Sequence, residues 1–272
     1  MGISRRKFIQ QISAASLLLA GGVHSLSAAE AESLRKKSKL RFVVASDSHF
    51  GQEGTEFVVN TKTFVQHVST FHRKNPLSFC VINGDIIHDE KDYLVPAKQQ
   101  FDQLPVRYFV TKGNHDMVSD AYWEEVWGMP TERDIAFGAY TILMASTSNE
   151  KGEYLSPDLA WMESRLKASS TQKGVFIFVH IPQAKWTKYS IETPEFFKII
   201  NQYKNVRAVF HGHEHDQDGV MMMESIPYLF DSHIGGNWGT PYKGFRVVEV
   251  LKDDTLLTYI MNPVDKINLA TF

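Results

Sequence analysis

Phe210-His211-Gly212-His213-Glu214-His215 closes an apolar run that begins at Val206. Histidine is a poor core residue, and three imidazoles within five residues would be costly to bury unpaired, so packing does not account for them. Neutral imidazole is the commonest protein ligand for transition metals, and Gly212 would let the backbone turn so that His213 and His215 both point into one cleft. Taken alone, this spacing fits a metal site and also a solvated histidine turn. What separates the two is whether other strands end in the same way.

Four others do. Residues 40–46 run into Asp47, Ser48 and His49, and residues 77–83 into Gly84 and Asp85. Residues 106–111 run, through Lys112, into Gly113, Asn114, His115 and Asp116, and residues 175–179 into His180. A short apolar run closed by a metal-competent residue is the pattern of a buried strand that delivers a side chain to the carboxyl edge of its sheet. Helical spacing of apolar residues marks 56–74, 93–104, 158–167 and 193–203, while 135–146, 220–223, 228–230, 245–251 and 256–261 read as strands.

The ordered set Asp47/His49, Gly84/Asp85, Gly113 to Asp116, His180 and Gly212 to His215 resembles the calcineurin-like metallophosphoesterases, over residues from about 40 to about 215. The resemblance implies an α/β fold (α+β by some schemes): a four-layer αββα sandwich of two mixed β-sheets flanked by helices. It also implies two metal ions, one held by Asp47, His49, Asp85 and His215 and the other by Asp85, Asn114, His180 and His213, with Asp85 shared. Mixed His, Asn and Asp ligands accept manganese, iron or zinc, as divalent or mixed-valence ions. The reaction implied is hydrolysis of a small phosphate mono- or diester by in-line attack of a metal-bound hydroxide. His115 resembles the family's catalytic histidine, which would protonate the leaving oxygen. Asp116 beside it would orient the ring and raise its pKa, or else cap the next helix. An exported nuclease of the same chemistry and a metal-bearing binding protein without turnover are the alternative functions.

His88 stands where family members often carry Asp or another polar residue, so it is either a partner behind a metal ligand or a plain loop residue. His211 is expected to be structural or to sit behind a ligand. Trp186 and Tyr189, in the loop after His180, are candidates for bordering the substrate cleft. Ile86, Ile87 and His88 follow Asp85, so the tyrosine that marks the purple acid phosphatases is missing from the second motif.

With 43% apolar and 22% charged residues, the 272-residue chain suits one sizeable core. Its formal charge is −2, and Arg5, Arg6 and Lys7 are the charges of the first 29 residues, so removing those three leaves −5 on the remainder. That balance speaks against strong nucleic-acid binding. Ser4-Arg5-Arg6-Lys7-Phe8-Ile9, the modestly apolar residues 12–23 and Ser27-Ala28-Ala29 read as a twin-arginine signal peptide over residues 1–29. That implies the twin-arginine translocation machinery as partner and a periplasmic destination. The competing readings are an amphipathic first helix or a membrane anchor, but the apolar run is shorter than the roughly 20 residues of a spanning helix, and no stable span is expected in the mature chain. Residues 30–39 are expected to form a linker and residues 40–272 the phosphoesterase domain. Cys80 is the sole cysteine, so no internal disulfide forms.

Overall fold

The computed structural model describes residues 15–19, 22–26 and 28–261. Arg5 and Arg6 lie outside them. Among the described residues, two mixed sheets stack face to face. The first comprises β1 (Ala15–Leu19), β2 (Gly22–Leu26), β3 (Ser38–Ala45), β4 (Phe79–Asn83), β5 (Tyr108–Thr111), β12 (Phe245–Leu251) and β13 (Leu256–Met261), in the order β2-β1-β13-β12-β3-β4-β5. The second comprises β6 (Arg133–Phe137), β7 (Tyr140–Met144), β8 (Gly174–Phe178), β9 (Val206–His211), β10 (Val220–Met223) and β11 (Ile226–Phe230), in the order β10-β11-β9-β8-β7-β6. β3, β4 and β5 run parallel in the first sheet, as do β7, β8, β9 and β11 in the second.

Three apolar layers hold the sandwich together. Phe42, Phe79, Phe176, Phe178 and Phe210 fill the space between the sheets, with Phe42 stacked on Phe79 and Phe178 on Phe210. Helices α2 (Phe57–Lys74), α3 (Leu94–Phe101) and α4 (Asp120–Trp127) cover the outer face of the first sheet, and α5 (Leu159–Ala168) and α6 (Pro194–Ile200) that of the second. In α2 the buried residues Thr61, Phe64, Val65, Val68 and Phe71 recur at helical spacing, which makes a single apolar stripe. The N-cap Ser119 accepts a hydrogen bond from the Tyr122 amide, and α4 ends on Gly128 at φ 66°, where a left-handed residue closes a helix most cheaply. Trp123 and Trp127 are buried in that layer. β8 is buried along its whole length, as a central parallel strand covered on both faces must be.

The predicted linker over residues 30–39 is structured: α1 (Ala28–Arg35) leads into β3. Glu249 links the two elements, its buried carboxylate accepting Arg35 Nε at 3.1 Å and Arg41 Nη2 at 2.7 Å. A buried carboxylate is tolerated only with such pairing, and this one ties α1 to the sheet. Residues from the apolar run of the expected signal form β1 and β2, a hairpin paired antiparallel with β13. No helix among the described residues is long and apolar enough to cross a membrane.

Candidate metal centre

β3, β4, β5, β8 and β9 end along one edge of the sandwich, and the residues that follow them converge there. Amide–carbonyl bonds from Asp47 to Gly84, from His49 to Asp85 and from Gly235 to Asp47 lace these loops together. Asp47, His49, Asp85 and His213 have φ of 59°, 42°, 50° and 69°. Left-handed backbone at non-glycine residues is uncommon and gathers where a structure holds side chains for function. Gly84 also lies in that region, at φ +86°, and a Cβ there would stand 2.4 Å from His180 Nδ1. The expectation for Gly212 needs correcting: the left-handed turn falls on His213, and Gly212 is required by closeness, since a Cβ on it would meet the Ser46 side chain at 2.6 Å.

Asp47, His49 and His215 form one cluster of potential donors, and Asp85, His180 and His213 a second; a third group, His49, His88 and His115, overlaps the first at His49. In the first, His215 Nε2 lies 3.2 Å from Asp47 Oδ1 and 2.9 Å from His49 Nε2. At that separation the two nitrogens share either one ring proton in a hydrogen bond or, when both present lone pairs, a cation. In the second, His180 Nε2 lies 3.2 Å from Asp85 Oδ2 without hydrogen-bond geometry. Among the described residues His180 Nε2, His213 Nε2 and Asn114 Oδ1 are buried without a hydrogen-bond partner, His180 Nε2 meeting the Asp85 carboxylate as an ion pair only. Buried polar atoms are rarely left so, and three from separate strand ends beside a carboxylate fit a cation site.

Neighbouring backbone fixes which nitrogen of each ring is free. His180 Nδ1 donates to the Asn83 carbonyl at 2.7 Å and His215 Nδ1 to the Trp238 carbonyl at 3.1 Å, so Nε2 is the atom each ring turns into the cluster. Asp47 accepts the His213 amide at 3.0 Å, and Asp85 accepts the His115 amide at 2.8 Å. Both carboxylates are buried, and among the described residues their ion-pair partners are histidines.

That electrostatic demand appears in the titration of the cluster. Burial pulls His49 down to about 3 and His213 down to about 4, so both rings are neutral, as ligands must be. At His180 burial pulls the same way, but the charges of Asp85 and Asp47 win and raise it to about 10. That rise records how strongly the two buried carboxylates favour positive charge between them.

His115 is placed differently from its neighbours. Its ring lies at the mouth of the site, edge-on to His49, and Nδ1 meets Asp89 Oδ1 at 2.7 Å. Burial lowers its pKa, but the charge of Asp85 and the hydrogen bond and charge of Asp89 outweigh that and leave it raised. The expectation that Asp116 orients His115 is wrong. Asp116 is fully buried, with Oδ1 accepting the Ile86 and Ile87 amides and Oδ2 the Gly113 amide. Both oxygens are spent on the backbone of the two loops, so Asp116 shapes the site without touching the ring. Asp89 was not singled out from sequence; its signal was a carboxylate four residues after Asp85 in the same motif loop.

His88 lies behind a candidate ligand: its Nδ1 is 2.9 Å from His49 Nδ1, and its ring stacks on His115 at 4.6 Å. His211 belongs to none of these three groups. It is buried, with Nδ1 bonded to the Val179 carbonyl and its ring parallel to Tyr228.

A cavity of about 420 Å³ opens over the donors, lined by His49, Asp85, His115, Tyr154, Tyr189, His213 and Trp238. Tyr189, a candidate from the sequence, lines this cavity. Trp186 does not, because its indole packs on Tyr228, Phe197 and His211 of the second sheet and its covering helix. Tyr154 and Trp238 come from loops without a motif, and only their aromatic character marks them in the sequence.

A helix-flanked double sheet with a buried aspartate–histidine cluster at its carboxyl edge defines a metal-binding hydrolase sandwich. The chain belongs to the calcineurin-like phosphoesterase family, whose model matches residues 40–217, and it is a hydrolase of phosphate esters. That family typically binds a dinuclear metal centre. A protein of Coxiella burnetii described as a probable cyclic nucleotide phosphodiesterase is 26% identical over 200 residues, which span 69% of this chain and 80% of the relative. A dimetal phosphatase from Danio rerio has the same fold, with a TM-score of 0.69 at 15% identity over 84% of this chain and 98% of the other. The purple acid phosphatase PPD1 from yellow lupin seeds gives a TM-score of 0.60 at 14% identity over 84% of this chain and 52% of its own.

Proposed function

We propose that this chain hydrolyses small phosphate mono- or diesters at a dinuclear centre, with Asp47, His49, Asp85 and His215 around one metal and Asp85, Asn114, His180 and His213 around the other. The observation that carries the reading is the set of orphaned donors, Asn114 Oδ1, His180 Nε2 and His213 Nε2, beside a buried carboxylate whose ion-pair partners among the described residues are histidines. Iron, manganese or zinc ions bound there would offset charge on the phosphate oxygens and make water a better nucleophile.

The chain's own residues supply alignment and a proton. Amide donors hold Asp47 and Asp85 in place, and the carbonyls of Asn83 and Trp238 hold His180 and His215 with Nε2 inward. With Nδ1 bound to Asp89, His115 keeps its proton for delivery at Nε2, in the cavity, where a departing alkoxide needs one. The raised pKa keeps that proton in place near neutral pH. His88, against His49 Nδ1, holds that ligand's ring. The name of the Coxiella burnetii relative favours diesters among the substrates.

Export completes the reading: residues 1–29 act as a twin-arginine signal and the enzyme works in the periplasm, supported by Ser4 to Ile9 and the short apolar run after them. A screen of phosphate monoesters, diesters, nucleotides and sugar phosphates, with manganese, zinc and iron supplied separately, tests the activity. Folded protein that holds clearly less than one metal per chain after such loading, or that cleaves none of the esters, would sink the proposal.

A further inference from the structure

Large apolar side chains are seldom left in water beside a reactive centre without a reason. Among the described residues eight are substantially exposed, and three of these, Tyr154, Tyr189 and Trp238, line the one cavity over the donors. They arrive on three different loops: Tyr154 between β7 and α5, Tyr189 between β8 and α6, and Trp238 between β11 and β12. No packing requirement of a single element puts them together.

Their geometry is that of a platform. The Trp238 indole lies parallel to the His215 ring, with centroids 3.8 Å apart and planes 2° from coincidence, yet it remains 46% exposed. One face is covered by a candidate ligand, so the other is open. At the opposite end of the donor set, Tyr154 and Tyr189 stand edge-on to His213 at 87° and 88°. The cavity lining includes no lysine or arginine. Lys188 is drawn onto the Tyr189 ring, with its ammonium 4.9 Å from the centroid. Outside the phosphate position, then, the walls present π faces and almost no charge. Such walls stack a flat aromatic group, and the Lys188 ammonium already held on the Tyr189 ring disfavours a second cation there.

We infer that Tyr154, Tyr189 and Trp238 form a subsite for a planar aromatic group carried by the phosphate ester, a nucleobase or an aryl ring, with Trp238 as the stacking surface. The subsite makes base-bearing esters better substrates than the same esters without the base. This rests on the phosphoesterase reading above, and it names the substrate class of that site.

The test uses the metal-loaded full chain and two substrate pairs in which the cleaved bond is matched and the base-free member carries no aromatic ring: a nucleoside 3′,5′-cyclic phosphate against methyl riboside 3,5-cyclic phosphate, and a nucleoside 5′-monophosphate against ribose 5-phosphate. Wild-type protein should prefer the base-bearing member of at least one pair, and which pair distinguishes diester from monoester. Trp238→Ala keeps the backbone carbonyl that orients His215. It should lower kcat/KM for the base-bearing member by about 5- to 150-fold, the usual worth of one stacked base, mostly through KM. The base-free member should change far less, and Trp238→Phe should recover most of the loss. Tyr189→Ala, in an exposed loop, should act in the same direction, and free nucleoside should inhibit wild type but not Trp238→Ala. Equal loss on both members of a pair would mean that the indole only supports His215, and no preference in the wild type would remove the subsite altogether. Either result overturns the inference while hydrolysis itself persists. Absence of turnover on all four esters would instead overturn the phosphoesterase reading, and this inference with it.

Discussion

Replacing Asp89 by Asn separates the two things this carboxylate gives His115, because the amide oxygen still accepts from Nδ1 while the charge is gone. The pair is close, at 2.7 Å, but it is not shielded: the two side chains are 31% and 43% exposed. At a water-like dielectric constant, unit charges at that separation attract by about 1.5 kcal/mol, and exposed pairs usually yield less, about 0.2–1 kcal/mol. A loss near 1 kcal/mol is therefore a fair expectation, equivalent to a factor of about five in the fraction of protonated ring. The other carboxylate that raises His115, Asp85, spends its charge on any cation it holds, so Asp89 is the partner whose effect survives in the working enzyme.

The sign follows from the role. A proton donor must be protonated, and Asp89 favours the protonated ring, so its loss moves the alkaline limb of the pH–rate profile toward lower pH. On an ester with a poor leaving group, Asp89→Asn should run about fivefold slower than wild type on the alkaline side. The two should converge as the pH falls and both rings become protonated. Asp89→Ala should lose more at every pH, because the ring is then free to turn. Metal content should stay unchanged in both. An alkaline limb that does not move in Asp89→Asn, or one that moves in Asp116→Asn instead, would refute the assignment. Asp116 accepts three buried amides, and its replacement should lower thermal stability, since each abandoned donor costs about 1–3 kcal/mol.

His115→Ala should retain both metals and lose about 10²–10⁴-fold in turnover on a poor leaving group. Its deficit should shrink on nitrophenyl esters, whose anions leave unprotonated; a deficit independent of leaving-group pKa would point to phosphate positioning. Asp85→Ala should release more metal than Asn114→Ala in elemental analysis, because it removes a charged ligand from both ions and not a neutral one from one; equal loss would argue against a shared Asp85. Changing Arg5 and Arg6 together to Lys should strand the protein inside the cell, as fractionation would show, and unaltered export would mean that the segment is read by another route.

The contrast between Asp89 and Asp116 shows what a sequence can reveal about such a site. Strand ends are readable because a buried strand needs an apolar run, and the residue that closes the run has to lie at the sheet edge; Asp47, Asp85, Asn114, His180 and His213 were all legible on that basis. The direction a side chain takes after the edge has no such periodic signature. Asp116 follows His115 in the chain but turns inward to three amides, whereas Asp89 reaches the ring from a different loop, 26 residues earlier. Trp186 and Tyr189 make the same point within one loop, one packing on Tyr228 and the other opening onto the cavity. Constraint accounts for the difference. The donors stand in loops pinned by backbone bonds and by glycines that admit no Cβ; one on Gly113 would meet Asp85 Oδ1 at 2.3 Å. The loops of the aromatic rim are pinned too, by the Thr240 amide on the His215 carbonyl, the Leu155 amide on the Thr147 carbonyl and the Trp238 carbonyl under His215, but those bonds are made by backbone and do not dictate the side chains at Tyr154 and Trp238. Sequence pattern should therefore recover metal chemistry in chains of this family more readily than substrate choice, because the loops that choose substrate are free to vary while the strand ends are not.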